Sequence, residues 1–342
     1  MEVTIPTSRA FEDLVRRILE ANNFRIFIHS PRGDAGFDFD ATFGSERWAI
    51  EVKYYRTARA QPSLLEAAAT RLVNNGIVAQ AVKGMLVVSS VLPPDLRSSL
   101  EQKYSITLVD QGDLRNWAAV APLLLDELDV LLETSPREPS GPISSRSSPH
   151  ESSKNLRELP QLPRDSEGTD LCRQMKAVKR GKVGWSEYEE ICKKILKYLF
   201  SNDLLGWHAQ KRTDDGLNRF DYVCRVRPTT EFWKFVLDHL DSRYILFEFK
   251  NYAARIKQGQ VLSTEKYLLE RGLRRVAIIF SREGADADAV KMTQGAMREH
   301  GKLMLIVDDK IVCEMLHKKE LGEDPTDCLF DLADNFLLSL PR

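Results

Sequence analysis

Two short apolar stretches of this chain carry an acid and a base at the same spacing. WAIEVKYY, residues 48–55, holds Glu51 and Lys53, and YILFEFKNY, residues 244–252, holds Glu248 and Lys250. Side chains on a β-strand alternate faces with a period of two. Glu51 and Lys53 therefore share one face, as do Glu248 and Lys250, while Phe247 and Phe249 take the other. Strands this apolar are expected to be buried, and a buried charge persists only when it is paired or bound to a metal. Each stretch also follows an aspartate on the preceding strand, Asp38 or Asp221, and a glutamate on a leading helix, Glu12 or Glu189. Such a set can close on itself as a structural ion pair, or it can hold a cation and a polar substrate.

The spacing alone is weak evidence. With Asp, Glu, Lys and Arg near a quarter of residues, roughly one Glu-x-Lys triplet is expected by chance in a chain this long. A third does occur, Glu101-Gln102-Lys103, but it falls at a helix end with no acidic strand before it. What chance does not supply is the order helix-Glu, strand-Asp, strand-Glu-x-Lys, twice.

The elements that must position these residues repeat in the same way. Residues 8–22 read as an amphipathic helix with Phe11, Leu14, Val15, Ile18 and Leu19 at helical spacing. Strands are expected at 24–30, 37–43 and 47–55, a helix at 62–82, a strand at 85–90, a helix from Pro93-Pro94 to about 103, a strand at 105–110 and a helix at 122–133. The order is αβββαβαβα, a mixed sheet between helices. The second half starts over with a helix at 185–200 and strands at 205–212, 219–226, 243–252, 275–281 and 302–307, with an extra helix at 230–240. Phe11-Glu12-Asp13-Leu14-Val15 aligns with Tyr188-Glu189-Glu190-Ile191-Cys192, and Glu51-Val52-Lys53-Tyr54 with Glu248-Phe249-Lys250-Asn251. This is an internal repeat at the level of the fold. Between the halves, residues 134–168 hold 9 Ser and 6 Pro in 35 positions, too little apolar surface to offset the cost of ordering. The expected domains are 1–133 and 181–342, joined by a flexible linker over 134–180 that ends in the basic run Arg173 to Lys182.

At 342 residues the chain is long enough for two cores, and 43% hydrophobic with 29% charged residues is an ordinary globular composition. No apolar run approaches the ~20 residues that span a membrane, and the start, MEVTIPTSRAFEDLV, lacks the basic-then-apolar pattern of a secretory signal. The five cysteines form no CxxC pair, and the simplest expectation is unpaired thiols in a reducing cytoplasm. The net charge of −1 gives no global signal for nucleic acid, so any such contact must come from local patches such as 173–182.

On these residues the chain resembles the PD-(D/E)xK nuclease superfamily. The first domain is most similar to the catalytic domain of Mrr-type restriction endonucleases, through FEDLV on the first helix, GDAGFD before the acidic strand and EVKYY on the next, over about residues 8–118. The second domain resembles a more divergent restriction-endonuclease-like domain, marked by DDGLNRFDY and FEFKNY. It departs from the first in the 27 residues from Asp221 to Glu248, against 13 from Asp38 to Glu51. The proline of the family name is absent from both.

The resemblance implies a metal-dependent endonuclease that hydrolyses DNA phosphodiester bonds in bacterial restriction or anti-phage defence. Paired carboxylates favour a hard cation such as Mg²⁺, with Mn²⁺ able to substitute. Asp38 and Glu51, and in the second domain Asp221 and Glu248, would be the metal ligands, with the Val52 carbonyl as a third. Lys53 and Lys250 would orient the attacking water or stabilise the transition state. Glu12, Glu189 and Asp40, the last on the strand face of Asp38, would be auxiliary. DNA is the expected partner. No GxxxxGK[ST] loop is present, so an ATP-driven step would need a separate NTPase or sensor subunit, and a homo-oligomer stays open. Two alternatives remain: a nucleic-acid-binding sensor whose nuclease folds are inactive, and an RNase or repair nuclease acting on single-stranded, branched or modified substrates.

Overall fold

The structure is a computed structural model that describes residues 7–28, 36–57, 59–132, 146, 154–157, 166–209 and 221–341. The chain divides into two units, residues 1–165 with 321–323 and residues 166–320 with 324–342.

In the first unit, α1 (Thr7–Ala21) buries the five apolar residues of its stripe. β1 (Arg25–Ile28), β2 (Phe39–Phe43) and β3 (Glu46–Lys53) pair antiparallel. β4 (Lys83–Val88) and β5 (Thr107–Val109) then extend the sheet in parallel, each after a crossover helix, α2 (Pro62–Val78) and α3 (Pro94–Tyr104). The sheet order is β1-β2-β3-β4-β5. α4 (Gln111–Ala118) and α5 (Pro122–Leu132) complete the unit. Trp48, Ile50 and Val52 of β3 pack in one core with α1, α4 and α5, and Ala49 packs in the other with Leu65, Ala68 and Leu72 of α2. Parity therefore sends Glu51 and Lys53 to the α2 face.

The second unit repeats this order with two additions, one helix at the front and one between its second and third strands. α6 (Glu167–Ala177) and α7 (Trp185–Phe200) precede β6 (Leu204–Ala209), β7 (Tyr222–Val226), α8 (Glu231–Asp238) and β8 (Tyr244–Lys250). α9 (Gln258–Glu265), β9 (Val276–Ser281), α10 (Ala287–His300), β10 (Leu303–Val307), α11 (Asp309–Glu320) and α12 (Thr326–Leu338) follow. The sheet order is β6-β7-β8-β9-β10, antiparallel through β8 and parallel beyond it. Ile245, Phe247 and Phe249 pack with α7, while Leu246 packs with Val261 of α9 and Ala289 of α10. Glu248 and Lys250 thus lie on the face equivalent to that of Glu51 and Lys53. Both units are mixed α/β with a five-stranded mixed sheet flanked by helices.

Several expectations are corrected. Helix α4 escaped the sequence pattern because it is short; Asp110 caps it by accepting from the Gly112 and Asp113 N–H groups. Glu101-Gln102-Lys103 lies in the last turn of α3, at a helix end as expected, and Glu101 accepts from the Leu108 N–H and pairs with Arg146 at 2.6 Å. Arg146 also donates its backbone N–H to Asp113, and Leu156 donates to the Val82 carbonyl. These described positions inside the expected linker are therefore bonded to the first unit. The expected linker residues 167–177 are helix α6, with Leu171, Cys172 and Met175 buried in the second core. Apart from 146 and 154–157, residues 134–165 lie outside the described residues, as do most of the turn 31–36 and the DDGLN turn.

The cysteine expectation fails as well. Cys172 of α6 and Cys313 of α11 form a disulfide across 141 residues of sequence, while Cys192, Cys224 and Cys328 are buried and free. An odd total concealed one pair, because pairing depends on which helices meet. Alkylation under denaturing conditions is expected to label three cysteines without reductant and five with it, read by intact mass. Cys313→Ser is expected to lower the stability of the second unit by about 2–4 kcal/mol, measured by denaturant titration.

Candidate active site

Register places the acids. Phe39 pairs with Ile50 and Asp40 with Ala49, so one residue further Asp38 stands opposite Glu51. Tyr222 pairs with Phe247, which sets Asp221 opposite Glu248 in the same way. The aspartate is tied down identically in both units. Asp38 Oδ2 accepts from the Val52 N–H at 2.7 Å, and Asp221 Oδ2 accepts from the Phe249 N–H at 2.9 Å. In each case the donor follows the glutamate directly, so one backbone bond fixes the spacing of the two carboxylates. Gly36 opens the turn into β2 at a φ of +80°, and a Cβ there would meet the Asn75 side chain at 2.1 Å. Its carbonyl accepts from Arg71 Nε at 3.1 Å and Asn75 Nδ2 at 2.9 Å.

The lysines close on the glutamates. Lys53 Nζ lies 2.7 Å from Glu51 Oε1, and Lys250 Nζ lies 2.7 Å from Glu248 Oε2. Glu51 and Lys53 are 1% and 6% exposed, and Glu248 is equally deep. Burial, opposed by Lys53 and reinforced by Asp38, pushes the Glu51 carboxyl up to about 7. Burial, opposed by Lys250 and reinforced by Asp221, likewise pushes Glu248 up to about 7. Burial raises Asp38 and Asp221 too, against the pull of the neighbouring lysine and the backbone N–H. For Lys53 and Lys250 burial acts downward, yet the facing carboxylates outweigh it and hold both ammonium groups above their ordinary value.

The remaining expected residues divide. Glu12 of α1 is half-buried, and burial followed by the nearby Asp38 raises its carboxyl. Glu189 of α7 is buried, pairs with Lys193 at 2.9 Å and adds negative charge beside Asp221. Asp40 does not join this group, because its carboxylate is held by the Arg47 guanidinium, with Nε at 2.9 Å and 3.1 Å from its two oxygens. Three groups went unnoticed in the sequence. Glu323 Oε1 lies 3.6 Å from Lys53 Nζ and adds a third carboxylate beside that amine. Arg71 of α2 brings Nε to 4.0 Å from Glu51 Oε1, and Tyr267, after α9, comes close enough to Glu248 for that carboxylate to raise its phenol, secondary to burial. A basic residue on the inner side of α2 was the available signal for Arg71; Tyr267 had none.

A metal fits this donor set. Among the described residues no group of three or more His, Cys, Asp or Glu is arranged as a metal cluster, so each unit offers two facing carboxylates. Mg²⁺ is commonly held by one or two carboxylates and completes its shell with water and substrate phosphate. The specific observation is a buried glutamate oxygen in each unit with no donor aimed at it, Glu51 Oε2 and Glu248 Oε1, although the Glu248 carboxyl also lies in hydrogen-bonding contact with the Asp221 carboxyl. A buried carboxylate oxygen in that state is unfavourable unless something else approaches it.

Residues 6–118 match the family model described as restriction endonuclease, of the Mrr catalytic type. That match covers a third of the chain and lies within the first unit, which is thus similar to a restriction-endonuclease domain. Among solved structures the chain aligns with the restriction endonuclease FokI at a TM-score of 0.33 and 7% identity, covering 83% of this chain and 50% of that one. The chain spans half the length of that protein, and the likeness is too low to carry residue roles. No curated protein sequence matches it.

A pH dependence follows from the glutamates. Their folded pKa is raised above the unfolded carboxyl value, so the protonated form stabilises the fold at low pH. That contribution is lost as pH rises from about 4.5 to about 7. The metal-free protein is expected to melt at lower temperature at pH 7.5 than at pH 5.5 on this account, and Glu51→Gln should flatten the slope. A cation competes with the same proton, so Mn²⁺ binding followed by electron paramagnetic resonance is expected to strengthen from pH 6 to pH 8.

Proposed function

We propose that this chain is a metal-dependent DNA endonuclease with two active sites, Asp38-Glu51-Lys53 in the first unit and Asp221-Glu248-Lys250 in the second. The observation that carries it is the repetition of one arrangement: facing carboxylates tied by one backbone N–H, a lysine at 2.7 Å from the glutamate and an unmet glutamate oxygen. The restriction-endonuclease family match over the first unit supports the same reading.

In this reading Asp38 and Glu51 hold Mg²⁺, as do Asp221 and Glu248. When bound, the cation lowers the pKa of its water and offsets charge on the scissile phosphate. The lysine amine stays charged because carboxylates face it, Glu51, Asp38 and Glu323 at Lys53 and Glu248 and Asp221 at Lys250. It can therefore donate to a non-bridging phosphate oxygen as negative charge develops there, while the glutamate oxygen it leaves orients the attacking water. Glu12 and Glu189 add charge at the rim and fit an auxiliary role. Asp40, committed to Arg47, does not. Two sites in one chain match the two strands of a duplex. The substrate class and the family point to bacterial restriction or anti-phage defence in the cytoplasm, where Cys172–Cys313 would be exposed to reduction.

The test is purified protein on supercoiled plasmid with Mg²⁺ or Mn²⁺, against EDTA. Wild type is expected to linearise the plasmid. Lys53→Ala and Lys250→Ala should each lose about 10²-fold or more at one site and leave nicked circles, and the double variant should leave the plasmid intact. Intact plasmid under every metal, with a gel shift, would instead favour a binding protein whose Glu–Lys pairs are structural.

A further inference from the structure

The basic run before α7 is built into the second site. Residues 178–184 form a strap across the end of β8, one residue beyond Lys250. The Gly181 N–H donates to the Asn251 carbonyl at 2.7 Å, and Asn251 Nδ2 donates to the Lys179 and Gly181 carbonyls at 2.8 Å and 3.0 Å. Arg282, buried, locks the other side: it donates to the Val178 carbonyl at 3.3 Å and to Asn251 Oδ1 at 3.4 Å, and pairs with Asp309 at 2.8 Å. The strap's backbone polar groups are thus turned toward the strand that carries Glu248 and Lys250, and its basic side chains are left outside.

Arg180 among them pairs with Glu283, and the lysines are left. Lys176, Lys179 and Lys182 are exposed, and no acidic residue lies between Arg173 and Lys182. Trp185 follows, 46% exposed, as the first residue of α7. It stands four residues before Glu189, one helical turn along the same face, and Glu189 is buried beside Asp221. The indole therefore caps the helix face that leads down to the carboxylates. Tyr252, 47% exposed, stands two residues after Lys250. In the first unit the position one turn before Glu12 is Ser8, so the ring belongs to the second site alone.

Lysines along a fixed backbone with an exposed ring at the end make the surface that grips single-stranded nucleic acid, with phosphates on the amines and a base on the ring. A paired, stacked base cannot offer its face to an indole, whereas an unpaired one can. We propose that Lys179, Lys182 and Trp185 form a docking surface for single-stranded DNA at the second site, which engages a strand whose bases are unpaired. This rests on the nuclease reading of Asp221, Glu248 and Lys250 for its purpose, but not for its test.

The experiment is fluorescence anisotropy with the full chain and a labelled oligothymidylate of about 20 nucleotides, a length chosen from single-strand site sizes, against a duplex of equal length, in EDTA so that nothing is cut. Trp185→Ala is expected to weaken single-strand binding on the order of tenfold and leave duplex binding unchanged, with Trp185→Phe recovering most of it. Lys179→Ala with Lys182→Ala should lower the slope of log affinity against log salt by about 1.4. Single-strand affinity unaffected by Trp185→Ala in a protein with unchanged thermal melting, or an equal loss on duplex, would overturn the proposal. If the binding results hold while the plasmid stays uncut with every metal, the nuclease reading fails and the docking surface stands.

Discussion

One hydrogen bond sets the geometry on which each site depends. The backbone N–H that follows the glutamate is given to the aspartate of the neighbouring strand, Val52 to Asp38 and Phe249 to Asp221. That N–H lies beyond the last paired residues of the antiparallel ladder, and the aspartate side chain accepts it. The bond does two things at once. It satisfies a donor that burial would otherwise leave unpaired, and it holds a second carboxylate across from the glutamate at strand spacing.

The outcome is an electrostatic arrangement that the fold alone does not favour. Two carboxylates face each other in a dry site, and one lysine is shared between them. Burial and mutual repulsion move the glutamates up to about 7, and one glutamate oxygen in each unit has no donor aimed at it. A purely structural Glu–Lys pair would be expected to satisfy both of its carboxylate oxygens, since a half-satisfied buried pair destabilises more than an apolar replacement. Perturbed groups collected at one strand end, in two copies, are the pattern that supports the proposed sites.

The two units share this centre and differ around it. The first surrounds its pair with Arg71, which reaches both the Glu51 carboxylate and the Gly36 carbonyl. The second has no described arginine in that role and instead brings Tyr267 near Glu248. It adds a front helix, α6, fastened to α11 by Cys172–Cys313, and the strap that α6 leads into. The duplicated centre with unlike surroundings fits one chemistry offered to two differently presented strands.

Much of this was legible in the sequence, and the division has a physical cause. Period-two alternation is local, so the chain alone determined that Glu51 and Lys53, or Glu248 and Lys250, share a face, and the apolar neighbours determined that the face is buried. The helical stripe of Phe11 to Leu19 and the repeated element order were readable for the same reason, and they carried the fold. What the tertiary structure decided are the pairings between residues distant in sequence. Strand register set Asp38 against Glu51, and it left Asp40 to Arg47 although Asp38 and Asp40 are two residues apart. The meeting of α6 with α11 chose which two of five cysteines join. The docking of 178–184 onto Asn251 turned a basic run, readable as linker, into part of the second unit beside Lys250. No periodicity encodes these contacts, because each depends on where two separate elements come to rest.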